Sequence, residues 1–166
     1  MNLFILRHGL AVEPGTPGYD DSERPLTSEG KSKLKAIAAA MVKLELDFDL
    51  ILSSPYTRAR QTAEIVAERL KASDKLELTK LLEPQGSFKD LINAINKHKS
   101  AHNVLLVGHE PYLSELISLL VYGDNNASVV LKKGGFARLG VPTLRADRCG
   151  LLEWLLTPKQ MGFIAG

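Results

Sequence analysis

Asn2-Leu3-Phe4-Ile5-Leu6-Arg7-His8-Gly9 is the stretch on which the reading of this chain turns. Leu3 to Leu6 are apolar without a break, whereas a strand with one wet face would alternate apolar and polar residues. An unbroken run belongs where helices cover both faces of a sheet, the usual setting of parallel strands. The run then stops abruptly on a guanidinium, an imidazole and a glycine.

Two further segments repeat this pattern. Residues 48–52 form a second apolar strand that runs into Ser53, Ser54 and Pro55, and residues 103–107 form a third that ends at Gly108 and His109. Between the first two, Leu34, Ile37, Ala38, Met41 and Leu44 recur at helical spacing as far as about Leu46, behind Thr27 as N-cap and Glu29 in the first turn. Ser54 reads as the N-cap, and Pro55 as the first residue, of another helix that buries Ala59, Thr62, Ala63, Val66 and Leu70. Weaker signals predict a strand over 75–82, a helix from Phe88 to about Lys97, a helix over about 111–122, and strand-like segments at 137–141 and 151–156. Strands alternating with amphipathic helices give an α/β fold with three layers, α/β/α, around a mostly parallel central sheet. Residues 9–25 carry Pro14, Gly15, Pro17 and Gly18 without periodicity and read as a long loop, a length that tends to serve function.

Composition narrows the possibilities. The chain has 166 residues, 45% of them apolar, with 21 Lys and Arg against 19 Asp and Glu. That is the size of one domain, expected over residues 1–166, with enough apolar surface for a sizeable core. A net charge of +2 is too small to argue for nucleic acid, so any attraction for anions must be local. Apolar runs such as 116–121 are far too short for a bilayer, and Arg7 and His8 interrupt anything like a secretory leader. The single Cys149 has no internal disulfide partner, so a cytoplasmic location is expected.

In a parallel sheet, ligands sit outside the carboxyl ends of the strands, where loops meet helix N-termini. The three strongest strands end at Arg7-His8, at residues 53–58 and at Gly108-His109, which gathers Arg7, His8, Arg58 and His109 at one edge. Two guanidiniums beside a helix N-terminus make a pocket for a phosphate or sulfate anion. There is no Walker loop and no carboxylate cluster that would hold magnesium. Histidines add what a mere anion grip would not need. A neutral imidazole with one nitrogen tied to a carbonyl can attack phosphorus with the other, and a second, if cationic near the anion, can donate to its oxygens.

Other features take plainer readings. Arg60 lies about 200° around the helix from Arg58 and reads as a solvated charge. His98 and His102 lack a thiol or carboxylate to complete a metal site and read as a solvated helix end. Lys132-Lys133-Gly134-Gly135 reads as a surface turn or as a basic rim for an acidic partner, Trp154 with residues 151–156 as core, and Cys149 as inert.

Arg7-His8-Gly9, Ser54-Pro55-Tyr56-Thr57-Arg58-Ala59-Arg60-Gln61-Thr62 and Val107-Gly108-His109, in that order and joined by Arg24-Pro25-Leu26-Thr27 and Gly30, resemble the histidine phosphatase superfamily, whose fold is called phosphoglycerate-mutase-like. Within it the short length is most similar to the small bacterial phosphohistidine phosphatases. The resemblance, over about residues 2–140, implies that His8 is the nucleophile, Arg7 and Arg58 the phosphate-binding arginines and His109 the second pocket histidine. It also implies no metal and no cofactor. Related mutases and acid phosphatases carry an acidic proton donor between the second and third blocks, and Glu83 is the candidate here. A phosphoramidate leaving group needs such an acid less than an alkyl ester does. The expected reaction is therefore removal of phosphate from a protein phosphohistidine, through a covalent phosphohistidine intermediate, by a pocket open enough to take a side chain of another protein. By the same resemblance the partner is a phosphohistidine-bearing protein, such as a phosphotransfer domain of a signalling relay. The alternatives are a small-molecule phosphomonoesterase or mutase of the same superfamily and a non-catalytic phosphate-binding module.

Overall fold

The computed structural model describes residues 1–166. Its six strands are β1 (Asn2–Arg7), β2 (Leu50–Ser53), β3 (Leu76–Leu78), β4 (Asn103–Gly108), β5 (Phe136–Gly140) and β6 (Leu151–Leu156), arranged in the order β3-β2-β4-β1-β5-β6. β1 runs parallel to β4, β4 to β2, and β2 to β3, while β5 alone opposes both its neighbours. The sheet is therefore mixed, with its site-bearing half wholly parallel. The helices are α1 (Ser28–Lys43), α2 (Thr57–Arg69), α3 (Phe88–Ile95), α4 (Tyr112–Tyr122) and α5 (Pro158–Ala165).

The unbroken apolar runs have the cause expected of them. Leu3 and Ile5 of β1, with Leu50 and Leu52 of β2 and Val104 and Leu106 of β4, pack into one core with α3 and α4. Phe4, Leu6, Ile51, Leu105 and Val107 point the other way, into a second core with α1, α2 and α5. Each of these side chains is buried, which is worth about 1.5–3 kcal/mol apiece. The two cores fix the register of the central strands, because a one-residue slip would exchange every side chain between layers.

Four local differences from the sequence reading have physical reasons. α2 begins at Thr57 rather than Pro55, and Ser54 is not its cap: Tyr56 holds that position without a side-chain cap. α1 ends at Lys43 because Glu45 turns into the left-handed region at φ 54°, which leaves Leu44 exposed. β6 is an edge strand, so Leu151 is 71% exposed and only its far half is covered, with the Trp154 ring centroid 5.1 Å from that of Phe136. α5 was not foreseen. It rests on a capping box in which Thr157 accepts from the Gln160 N–H and Gln160 reaches back to Thr157, with Pro158 at the first position, and it buries Met161 against α1.

Candidate active site

His8 follows the last residue of β1, and hydrogen bonds hold it on every side. Its backbone N–H donates to the Gly108 carbonyl at 3.0 Å, and its own carbonyl accepts from the Gly134 N–H at 3.0 Å. Its ring Nδ1 lies 2.8 Å from the Gly9 carbonyl. A carbonyl can only accept, so Nδ1 carries the proton and Nε2 is bare, with an in-plane lone pair. Arg58 Nε donates to that Nε2 at 3.3 Å. The Gly9 peptide is fixed in turn by Thr62 of α2, whose hydroxyl accepts from the Gly9 N–H at 3.1 Å and donates to the Arg58 carbonyl at 2.7 Å. One run of contacts thus links α2 to the unprotonated nitrogen of His8.

His109 follows β4, with its ring centroid 5.2 Å from that of His8. Its Nε2 is 2.8 Å from the Ser54 hydroxyl at the end of β2, and its Nδ1, though buried, meets no protein partner. Arg7 donates through one terminal nitrogen to the Leu131 carbonyl at 2.9 Å, and its buried Nε is likewise unpaired. Unpaired buried polar atoms are rare in folded proteins, and here two of them belong to residues of one cluster. The four residues predicted for the site therefore share the carboxyl ends of the adjacent strands β2, β4 and β1.

Burial sets the charge of the two imidazoles. His8 and His109 are 6% and 2% exposed. Desolvation pushes the pKa of His8 well below its ordinary value; the Gly9 carbonyl opposes the shift, and His109, Arg58 and Arg7 add to it. Desolvation, followed by the charge of Arg58, takes His109 down to about 3. Both rings are therefore neutral at physiological pH, and the positive charge of the cluster lies on the arginines.

The long loop after Gly9 contributes more than length. Ala11 pairs with Leu26 in an isolated bridge, and a 3-10 turn at Asp21–Glu23 brings Asp21 over Arg58. Arg58 donates to both the carbonyl and the carboxylate of Asp21, and Arg24 donates to the same carboxylate at 2.8 Å. Burial alone would raise the pKa of Asp21, but the hydrogen bonds from Arg24 and the charge of Arg58 lower it. Asp21 therefore sits on Arg58 as an anion would. The larger surface clefts lie elsewhere, between α1 and α2 and between α1 and α5, and neither is lined by an imidazole. What marks the site is convergence of polar groups rather than concavity. Gly30 permits the arrangement, since a Cβ there would lie 2.1 Å from the Leu10 carbonyl oxygen, which accepts from the Thr27 N–H.

Two carboxylates stand near this end of the sheet. Glu83 follows Leu82, whose carbonyl oxygen is 3.3 Å from where a Gly108 Cβ would be, and its side chain makes no hydrogen bond or ion pair. Glu110, directly after His109, was not singled out from the sequence. It accepts from the Ser114 N–H in the first turn of α4 at 3.0 Å, and burial raises its pKa despite that bond and the charge of Arg7. Thr62, Ser54 and Asp21 also join the site in ways that residue type alone did not reveal. Arg60 pairs with Glu64 on the surface, and no group of three His, Cys, Asp or Glu side chains is placed to hold a metal.

Parallel strands that deliver an Arg-His-Gly turn, a second arginine from a helix N-terminus and a second histidine to one point define a phosphatase of the histidine type, and the chain belongs to the histidine phosphatase superfamily (branch 1), whose model matches residues 3–86. Among individual relatives, it is 33% identical over 163 residues to an uncharacterized protein of Picosynechococcus sp., covering 96% of this chain and 98% of that one. It is 29% identical over 161 residues to the phosphohistidine phosphatase SixA of Escherichia coli strain K12, covering 95% and 94% of the two chains. The solved structure of the protein histidine phosphatase SixA complexed with tungstate superposes with a TM-score of 0.82 at 25% identity, covering 96% of this chain and 98% of the other.

Proposed function

We propose that this phosphatase removes phosphate from a phosphohistidine carried by another protein, with His8 as the nucleophile. The observation that carries the reading is the His8 ring, whose Nδ1 proton is held by the Gly9 carbonyl so that Nε2 presents its lone pair among Arg7, Arg58 and His109. In the first step Nε2 bonds to phosphorus while the P–N bond to the substrate imidazole breaks, and that imidazole keeps the electron pair and takes up a proton from solvent. Arg7, Arg58 and His109 hold the non-bridging oxygens, whose charge must be met throughout the loose transition state. In the second step water attacks the phosphorus bonded to His8 and gives up a proton to solvent while the P–Nε2 bond breaks, releasing phosphate and restoring the neutral ring.

A protein substrate is supported by the likeness to SixA and by the leaving group, which departs without a strong acid. The partner fits the description of a phosphotransfer domain in a cytoplasmic signalling relay. Glu110 gives weight to a second reading, a small-molecule phosphomonoesterase, because burial raises the pKa of its carboxyl, one residue after His109. The two are separated by comparing turnover of a phosphohistidine protein with that of sugar and glycerate phosphates. The proposal expects the phosphoprotein to be preferred by at least about a hundredfold in kcat/KM, roughly 2.7 kcal/mol. It also expects an acid-labile phosphoprotein to be trapped by rapid quenching and lost in His8→Ala. Equal rates on both classes would sink the protein-substrate reading. Phosphate release by His8→Ala at the parent rate would sink the role of His8.

A further inference from the structure

The second histidine raises a question that its burial sharpens: a neutral ring can serve an anion only if the nitrogen facing it carries the proton. We infer that Ser54 is a positioning residue that fixes His109 as the neutral tautomer protonated on Nδ1, so that His109 meets the bound oxyanion as a hydrogen-bond donor rather than as a cation. The inference rests on the reading of the cluster as a phosphate pocket.

The argument is one of hydrogen-bond satisfaction. Ser54 is fully buried, and its hydroxyl oxygen has two partners, the Tyr56 N–H at 3.3 Å and His109 Nε2 at 2.8 Å. The Tyr56 amide can only donate, so the oxygen accepts there. If His109 Nε2 also donated, the hydroxyl hydrogen would be left in the interior with no acceptor, at a cost typical of an unmet buried donor. If instead the hydroxyl donates to a bare Nε2, all three groups are satisfied and the ring proton lies on Nδ1. That is the nitrogen with no protein partner, on a ring only 2% exposed beside Arg7, Arg58 and His8. A bare Nδ1 would turn a lone pair toward an oxyanion, whereas a protonated one offers it a donor. The low pKa of His109 agrees, since it excludes the doubly protonated ring near neutrality. The two histidines are then set oppositely, His8 by a carbonyl that takes its Nδ1 proton and His109 by a hydroxyl that occupies its Nε2.

The test is 15N–1H correlation spectroscopy of the intact protein labelled at histidine, at neutral pH, with and without tungstate. The expected His109 spectrum has a protonated Nδ1 and a bare Nε2 in both states. A proton on Nε2, or on both nitrogens, would overturn the inference without any variant being made. Ser54→Ala is expected to mix the tautomers and to weaken tungstate binding by roughly ten- to hundredfold, the worth of one hydrogen bond to a charged group. Ser54→Thr, which keeps the hydroxyl, is expected to retain the parent tautomer. An unmixed Nδ1-protonated ring in Ser54→Ala would remove Ser54 from the role. Because the readouts are a tautomer and the affinity for tungstate, failure to hydrolyse phosphohistidine would count against the proposed substrate and leave this inference standing.

Discussion

Replacing Thr62 with Val isolates the hydroxyl that joins α2 to the His8 turn. Val keeps the β-branch and nearly the volume, so contacts with the surrounding core are retained and helix propensity changes little. What is lost is the acceptor of the Gly9 N–H and the donor to the Arg58 carbonyl. Gly9 is buried and its amide has no other acceptor, so the variant leaves an unmet donor at a cost of about 1–3 kcal/mol. The Arg58 carbonyl keeps its place in the helix ladder and adds little. For a chain of this length about 2 kcal/mol corresponds to a fall of roughly 4–8 °C in Tm. Activity is expected to fall about tenfold at 25 °C, because the Gly9 carbonyl that holds the His8 ring can then swing away. Urea unfolding with an unchanged m-value, paired with turnover of the phosphoprotein, measures both effects. A stability change within about 0.5 kcal/mol, the range of an inconsequential surface substitution, together with full turnover would refute the reasoning.

Stability should also depend on pH through the two imidazoles. Both have folded-state pKa values below the ordinary one, so in acid the unfolded chain takes up protons that the folded chain refuses. The contribution is complete above about pH 6.5 and is lost at about 1.4 kcal/mol per pH unit per imidazole as the pH falls, down to about 3 for His109. Urea midpoints at pH 7.5 and 5.5 would reveal it, and an identical slope in His109→Asn would exclude His109 as a source. Gly30→Ala should cost about 1–3 kcal/mol, since its methyl would overlap the Leu10 carbonyl and push the loop off α1. A denaturation midpoint at the parent value would mean that this contact relaxes freely.

The central strands were legible because β1, β2 and β4 are apolar on alternate faces for two different cores, a demand that leaves an unbroken run in the sequence. The residues that end those strands were legible for the same reason, since strand ends in a parallel sheet locate a site. Ser54 was read as a helix cap because serine before proline usually is one, and only the position of β4 shows its hydroxyl turned to His109 instead. Thr62 read as a buried helix residue, which it is, but its partner lies 53 residues away across the layer. Asp21 sits in a segment without periodicity, so no local pattern could connect it to Arg58. β6 read as core because its apolar content could not reveal that nothing pairs with its outer edge. α5 did carry a signal, Thr157-Pro158 with Gln160 three residues after the cap, which is a capping box in plain view.

The Gly134 N–H donates to the carbonyls of both Arg7 and His8, and the Leu131 carbonyl grips the Arg7 guanidinium. The Arg7-His8 turn is therefore finished by a segment more than 120 residues further along the chain. Translation therefore makes the His8 turn well before the segment that backs it, and the turn is complete only after more than 120 further residues have been added. A chain cut short before Gly134 would carry the Arg7-His8 pair without the backbone contacts that hold it in place.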